Sequence, residues 1–336
     1  METIRQENKR MKAWISFGVV AVCLFLLFFM SINIGTLKIG FGQLLHGLFI
    51  HYDKDVATIY DLRFPRIIIS MLAGAGIAIS GVLFQAVLKN PLADPGIIGI
   101  SSGAGFMAVF ITAFLPSLYF FAPIAAFFGG LVAFFMVYCL SWKGGLSPMR
   151  IILTGVAVNS LFSGLSSVLN SMSGGNRTGV ASIVEANITQ KTWDDVKILL
   201  PYIIAGFFLS MLFTQECNLL SLEDKTARGL GINVNRTRIV ISMIAVLLAS
   251  ISTAVAGAIS FLGLIVPHIG RILVGSDHKF LIPFSALFGA LTFLLADTVG
   301  RTIAAPNEIS AAIIMSIAGG PFFILLLRRS SKYGKQ

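Results

Sequence analysis

The sequence predicts an all-α, polytopic membrane protein with about ten transmembrane helices. Of its 336 residues, 56% are hydrophobic and only 12% are charged, and the mean hydropathy is +0.87. Long stretches contain no Asp, Glu, Lys or Arg, and about 20 apolar residues of helix cross a bilayer. In lipid an isolated segment satisfies its backbone hydrogen bonds only as a helix. The composition therefore excludes a soluble domain and predicts one membrane domain over residues 1–336.

Eight charge-free stretches define the expected spans. Stretch 95–142 is long enough for two crossings and is punctuated by Pro116 and Pro123, and stretch 239–270 holds one crossing plus a shorter piece beyond Gly257. Pro65 is expected to start the second span, since proline fits the first turn of a helix. The other stretches hold one crossing each and are 13–37, 67–88, 151–176, 198–215, 280–296 and 309–327. Glycines within the second to fourth spans are expected to serve close helix packing.

The distribution of basic residues predicts the orientation. If the chain starts inside and alternates, 17 of the 25 Lys and Arg residues lie inside, as the positive-inside tendency requires. Both termini are therefore expected in the cytoplasm, with the chain in the cell membrane. The first apolar run is too long for a signal-peptide core and should stay as the first span. The three cysteines lie in spans or at a span end, so no disulfide framework is expected.

The motifs of soluble catalysis are missing from the sequence. It has no G-x-x-x-x-G-K-[ST] phosphate loop, no H-E-x-x-H and no C-x-x-C, so the chain is not expected to be an enzyme or to hold a metal or cofactor. An ion-coupled carrier, the alternative class, usually has ionisable residues in mid-membrane, and here Asp297 lies at a span end. A non-transporting scaffold, the third alternative, predicts neither a polar stripe nor a docking loop. The sequence has both.

The polar stripe lies on the fifth span. Its residues recur at helical spacing and are Asn159, Ser163, Ser166, Ser167 and Asn170. Such a stripe indicates either the lining of a transport pathway or hydrogen bonding between packed helices.

The docking loop is the long inner segment 218–238, which predicts a short exposed helix. Ser221 is a suitable N-cap, Glu223 and Asp224 fall in the first turn, and Gly229 or Gly231 can end the helix. Such a helix can dock into a groove of a soluble partner, the alternative being a solvated connector.

Three arginines are expected on the outer face, against the positive-inside tendency. Arg63 and Arg66 precede the second span, and Arg301 follows the ninth. They are suited to grip the carboxylates of a partner in bidentate fashion, or alternatively to contact lipid headgroups.

Several segments together resemble the permease family that imports ferric siderophores, haem and cobalamin, often called FecCD-type or BtuC-like. The matching segments are LRFPR at 62–66, GVLFQAVLKNPLADPGIIG at 81–99, LEDKTARGLGI at 222–232, GAISFLGLIVPHIGR at 257–271, residues 296–306 and Gly320-Pro321. They follow the family's order and spacing over nearly the whole chain.

The resemblance implies a ten-helix subunit of the type II ABC importer fold, with roles for particular residues. Arg63, Arg66 and Arg301 would meet glutamates of a substrate-binding protein, and Ser147, Pro148 and Met149 match a cytoplasmic gate loop. Pro148 and Met149 replace small hydroxyl residues more usual in the family. The helix that docks on the ATPase would use Ser221, Leu222, Glu223, Asp224, Ala227, Arg228, Gly229 and Gly231.

The resemblance also implies the assembly and the cargo. A second permease, the same or a sister chain, would complete the pathway, and two ATPase subunits would use the ATP and Mg²⁺. The cargo is expected to be a ferric siderophore or haem, and no nucleic acid partner is expected. A cobalamin importer is the alternative within the family.

Overall fold

The computed structural model describes residues 2–34, 39–50, 53–141, 148–172, 180, 183, 185–305 and 307–333. The regular elements in these ranges are helices. In chain order they are α1 (Glu2–Asn33), α2 (Phe41–Phe49), α3 (Lys54–Leu62), α4 (Phe64–Leu88), α5 (Ile100–Phe114), a 3₁₀ turn (Pro116–Phe121), α6 (Ala122–Ser141), α7 (Pro148–Met172), α8 (Trp193–Leu212), α9 (Thr214–Leu220), α10 (Asp224–Gly229), α11 (Val234–Ala256), α12 (Leu262–Val274), α13 (His278–Ile303) and α14 (Ala311–Tyr333).

The predicted polytopic architecture is confirmed. Within the described residues, seven helical segments are long and apolar enough to cross a membrane: those built on α1, α4, α6, α7, α8, α11 and α13. Three shorter apolar helices, α5, α12 and the first part of α14, accompany them. Together they account for the ten spans that the charge-free stretches predicted.

The two long stretches divide where the sequence indicated. Stretch 95–142 forms α5 and α6 around the 3₁₀ turn that begins at Pro116. Stretch 239–270 forms α11 and α12 around an extended segment, in which Gly257 has φ +78° and Phe261 has φ +67°. Proline often breaks a helix, but α12 runs continuously through Pro267.

The core of the bundle is formed by α4 and α11. In the apolar windows of both spans, 78% of the residues are buried, as expected of helices surrounded by protein. Contact between α4 and α13 is close at Gly74 and Gly289, where a Cβ on either glycine would overlap the backbone of the other. This is the packing role predicted for the span glycines, because small residues let helix backbones approach.

The NPLADPG segment forms a buried turn between α4 and α5. Asp94 Oδ1 accepts hydrogen bonds from the backbone N–H groups of Gly96 at 2.9 Å and Ile97 at 3.1 Å. Burial raises the pKa of the Asp94 carboxyl to about 6. Gln85 donates to the carbonyl oxygens of Ala93 and Gly263. The amide of Gln85 therefore ties α4, this turn and the start of α12 together.

Candidate functional site

The polar stripe of α7 lines a cavity. The cavity has a volume of about 220 Å³ and lies between α7 and the first two turns of α5. Its lining residues are Ser101, Ser102, Gly105, Val109, Asn159, Ser163, Ser166, Ser167, Ile183 and Ala258. Four of the five predicted stripe residues therefore share one wall. Asn170, one turn nearer the C-terminal end of α7, is not among the lining residues.

Outside the stripe, α7 packs against little of the chain. Its buried residues form a narrow row, Ile151, Gly155, Val158 and Phe162, and a Cβ on Gly155 would overlap the backbone at Ile98. Exposed apolar side chains cover the rest of the helix and include Leu153, Val156, Leu161, Leu165 and Val168. The stripe thus lies along the border between the packed row and an open apolar face.

We call the cavity lined by the α7 stripe the groove. A larger cavity, the outer cavity, adjoins the groove on the side that the predicted topology places outside. It has a volume of about 640 Å³ and is lined by polar groups of Glu185, Asn187, Glu308, Ser310 and Ser316, with Ile313 and Ile317 of α14. Ala258, in the extended segment between α11 and α12, lines both cavities. The two cavities therefore adjoin at this segment.

An internal ion-pair network holds the predicted outer arginines. Arg66 is buried, and its guanidinium lies 2.8 Å from Asp297 Oδ1 and 2.7 Å from Glu308 Oε2. Arg301 Nε lies 3.1 Å from Asp297 Oδ2, and the same guanidinium bonds to the hydroxyl of Ser31 in α1. The carboxylate of Asp297 therefore links α4 to α13, and Arg301 links the network to α1.

Arg63 occupies a different environment. Its Nη1 donates to the carbonyl oxygen of Ile32 at 2.5 Å, and the residue caps the C-terminus of α3. The side chain is partly exposed, whereas those of Arg66 and Arg301 are 9% and 7% exposed. A docking role for the three arginines stays a prediction. For Arg66 and Arg301 it would require a partner's carboxylates to exchange with Asp297 and Glu308.

Glu308 belongs both to the network and to the outer cavity. Burial alone would raise the pKa of its carboxyl, but the hydrogen bond and charge of Arg66, together with the Thr189 hydrogen bond and the charge of Arg301, lower the pKa below its ordinary value. Glu308 Oε2 also accepts from the Thr189 hydroxyl at 2.9 Å. Glu308 is thus an ionised group at neutral pH, fixed at the wall of the cavity.

The predicted inner docking helix exists as α10. The N-cap assignment was wrong: the N-cap is Glu223, whereas Ser221 ends the preceding helix α9 and donates its hydroxyl to the carbonyl oxygen of Asn218. Because Ser221 is the C-cap of α9, the exposed helix α10 has its N-cap two residues later than predicted, at position 223. Its end was predicted correctly, since α10 finishes at Gly229 and Gly231 follows with φ +89°.

Two bonded cations hold α10 against the bundle. Asp224 lies 2.7 Å from Lys89 Nζ at the end of α4 and 2.8 Å from Arg238 Nη2 in α11. The hydrogen bond from Lys89 is the main reason that the pKa of Asp224 lies below its ordinary value. Ala227 faces inward and is buried. The residues of α10 and its ends that remain exposed are Leu222, Glu223, Lys225, Thr226, Arg228, Gly229 and Leu230.

Two of the three predicted gate residues lie at the start of α7. Pro148 and Met149 are the first residues of the helix, and the Met149 side chain is exposed. Ser147 lies outside the described residues. The gate role of these residues stays a prediction.

Sequence reasoning missed several residues of the groove and the network. Ser101 and Ser102 line the groove from α5, and the paired hydroxyls at the start of the third span were the signal. Glu308 pairs with Arg66, 242 residues away in sequence, and Lys89 pairs with Asp224, 135 residues away. Spacing along one helix cannot show such contacts.

The fold and the groove define a class of protein. A multi-pass helical membrane protein with a polar groove along one helix, and a short exposed helix at one end of the bundle, has the features expected of a transport permease. The chain belongs to the FecCD transport family, whose pattern matches residues 23–329. It is a transporter subunit of an ABC transport system and has the BtuC-like permease fold.

Relatives and solved structures agree with this assignment. The Staphylococcus aureus (strain MSSA476) protein named Probable heme-iron transport system permease protein IsdF is 40% identical over 304 residues, covering 90% of this chain and 92% of that protein. A structure described as an inward-facing conformation of a metal-chelate type ABC transporter has a TM-score of 0.77 at 29% identity, covering 94% and 99% of the two chains. PsaBC from Streptococcus pneumoniae in complex with Fab, with a TM-score of 0.59 at 18% identity over 85% and 95%, shares the fold alone.

Proposed function

We propose that this chain is the permease subunit of an ATP-driven importer that moves an iron complex, haem or a ferric siderophore, into the cytoplasm. The observation that carries the proposal is the groove formed by the Ser101, Ser102 and α7 hydroxyl wall, which adjoins the larger outer cavity at Ala258. Small, weakly polar groups suit a bulky cargo, because no single strong site holds it in transit. The haem-iron name of the 40% identical relative favours an iron complex over cobalamin.

A second permease would close the groove. The apolar face beside the stripe, including Leu153 and Val156, is exposed in the single chain. Two subunits facing each other across their α7 helices would enclose a central pathway between two hydroxyl walls. Met149 at the inner end of each α7 would narrow the cytoplasmic exit, in the place proposed for the gate formed with Ser147 and Pro148.

The energy would come from two ATPase subunits, which bind the ATP and Mg²⁺ that this chain has no motif to hold. Their docking site would be the exposed face of α10, with Arg228 and Leu230 at its centre. A substrate-binding protein would dock on the outer side, near Arg63 and the outer cavity. Both chain termini would then be cytoplasmic, and the polar segment 218–238 would be the inner coupling loop.

Uptake by the reconstituted system tests the proposal. The permease, its ATPase and its binding protein are placed in proteoliposomes, and ATP-dependent accumulation of haem and of a ⁵⁵Fe-loaded hydroxamate siderophore is measured beside labelled cobalamin. We expect accumulation of one iron complex and none of cobalamin. Accumulation that is driven by an ion gradient without ATP, or accumulation of cobalamin alone, would contradict the proposal.

A further inference from the structure

A third cavity, which is polar, lies at the end of the bundle that carries α10, apart from the groove and the outer cavity. Its volume is about 270 Å³, and it lies between the end of α4, the end of α12 and the start of α13. Its polar lining residues are Gln85, Lys89, Asn90, Ser221, Arg271, Ser276 and His278. Lys89 and Arg271 are cations, and none of the seven is acidic.

Arg271 is a cation of this cavity without an acidic partner. Its Nη1 donates to Gln85 Oε1 at 2.5 Å, and none of the ion pairs among the described residues includes it. The Gln85 amide is itself fixed by the carbonyl oxygens of Ala93 and Gly263. The guanidinium is therefore held in place by a neutral group, although a largely buried cation is usually paired with a carboxylate.

His278 forms a neutral part of the cavity wall. The residue is 5% exposed, and its Nε2 has no hydrogen-bond partner within the described structure. Nδ1 lies 2.6 Å from Asn218 Oδ1, an oxygen that can only accept, so Nδ1 carries the ring proton and Nε2 is an acceptor in the neutral ring. The cations that an incoming acidic group would meet are therefore Arg271 and Lys89.

The cavity opens beside the docking helix. Ser221 stands two residues before the N-cap of α10, and Lys89 bonds both the carbonyl oxygen of Leu222 and Asp224 of α10. Ser221 and Ser276 are exposed at its rim. A soluble subunit seated on the exposed face of α10 would therefore reach this cavity as a continuation of the same surface.

We propose that this cavity accepts an acidic side chain, an Asp or Glu carboxylate, of the ATPase subunit docked at α10. The carboxylate would meet the free N–H groups of Arg271 and lie near Lys89, and its charge would supply the counter-ion that Arg271 lacks. The proposal rests on the proposed assembly with an ATPase. The cavity would add a charged contact to an interface that α10 alone would otherwise form.

The test is a double-mutant cycle on the purified permease–ATPase complex. Arg271→Gln is combined, one at a time, with Asp→Asn or Glu→Gln changes on the permease-facing surface of the ATPase, and the dissociation constant is measured in detergent. We expect Arg271→Gln to weaken association by about thirtyfold or more, since an acidic partner would be left buried and unpaired. One ATPase carboxylate should show no further loss when it is neutralised in the Arg271→Gln background.

Matched variants separate this effect from loss of folding. Lys279→Gln removes an exposed positive charge from the first turn of α13 outside the cavity and should change association less than threefold. Ser276→Glu places a carboxylate at the exposed rim, where it would repel the incoming group, and should weaken docking, whereas Ser276→Gln should not. Both positions are exposed, so these variants remain informative even where Arg271→Gln fails to fold.

The outcomes distinguish this inference from the function on which it rests. A wild-type permease that binds no ATPase would overturn the proposed function itself. Normal ATPase binding by folded Arg271→Gln and by Ser276→Glu would overturn only the carboxylate pocket. So would weakened binding with no ATPase carboxylate coupled to Arg271. Loss of co-purifying acidic phospholipid from Arg271→Gln, with ATPase affinity unchanged, would reassign the pocket to a lipid phosphate.

Discussion

Replacing Arg66 by glutamine should destabilise the protein strongly. The side chain is 9% exposed and its guanidinium is shared between Asp297 and Glu308, at 2.8 and 2.7 Å. Removing one partner of a buried ion pair costs about 3–5 kcal/mol, because the remaining charge is left uncompensated. Arg301 Nε, 3.1 Å from Asp297, still compensates part of that charge. We therefore expect a loss of about 3 kcal/mol, at the lower end of the range.

The free energy of unfolding is measured by denaturant titration in mixed micelles. Lys197→Gln is the matched control, since it removes a cation from an ion pair whose side chains are 73% and 67% exposed, and such pairs contribute about 0–1 kcal/mol. Combining Arg66→Gln with Asp297→Asn should cost less than the sum of the single changes, because the second change removes the stranded charge. If Arg66→Gln is no more destabilising than Lys197→Gln, the buried network is not what holds α4 to α13.

Three further predictions concern the inner helix, the groove and acid stability. Gly229→Trp should abolish ATPase association while leaving folding intact, since a Cβ there meets nothing within 4 Å; co-purification and thermal unfolding check this, and Arg228→Glu should act alike. In a cysteine-free background, cysteines that replace Asn159, Ser163 and Ser166 should react with water-soluble thiol reagents, and their reactivity should differ with and without trapped ATP. A cysteine at Leu161, on the opposite side of the helix, should stay unreactive. The advantage of wild type over Glu308→Gln in free energy of unfolding should hold at neutral pH and vanish as pH falls through the lowered pKa of Glu308.

Each of these three predictions has an outcome that contradicts it. ATPase association that survives both Gly229→Trp and Arg228→Glu would remove α10 from the interface. Equal labelling at Leu161, or protection of the whole stripe in every state, would reduce the stripe to helix packing. A stability difference at Glu308 that persists in acid would show that its ionised form does not carry the effect.

The spans could be predicted because hydropathy reports directly on the lipid environment. The ends of the spans could not, and α13 shows why. The charge-free stretch stopped at residue 296, before Asp297, yet the helix continues to Ile303. Asp297 is neutralised by arginines four residues along the same helix and 231 residues away. A charge that is paired internally does not end a membrane helix, and sequence alone did not show the pairing.

The groove and the inner helix were predicted in part for a similar reason. Helical periodicity placed Asn159, Ser163, Ser166 and Ser167 on one wall, because all four lie on one element. The facing hydroxyls of α5 belong to another helix, and their position depends on how α5 packs against α7. The N-cap of α10 moved from Ser221 to Glu223 because a separate short helix, α9, uses Ser221 as its C-cap. Local capping rules do not determine which of two adjoining helices a residue serves.

The internal pairing of the outer arginines changes what docking on that side would do. A partner's carboxylate that binds Arg66 must replace Asp297 or Glu308, and the displaced carboxylate loses its counter-ion. The cost is smaller for Glu308, whose side chain is 37% exposed, than for Asp297, which is 1% exposed. The exchange would release α4 from α13 or from the segment that carries Glu308. That segment also lines the outer cavity. Docking by exchange would therefore alter the mouth of the groove directly, whereas docking on free surface arginines would leave it unchanged.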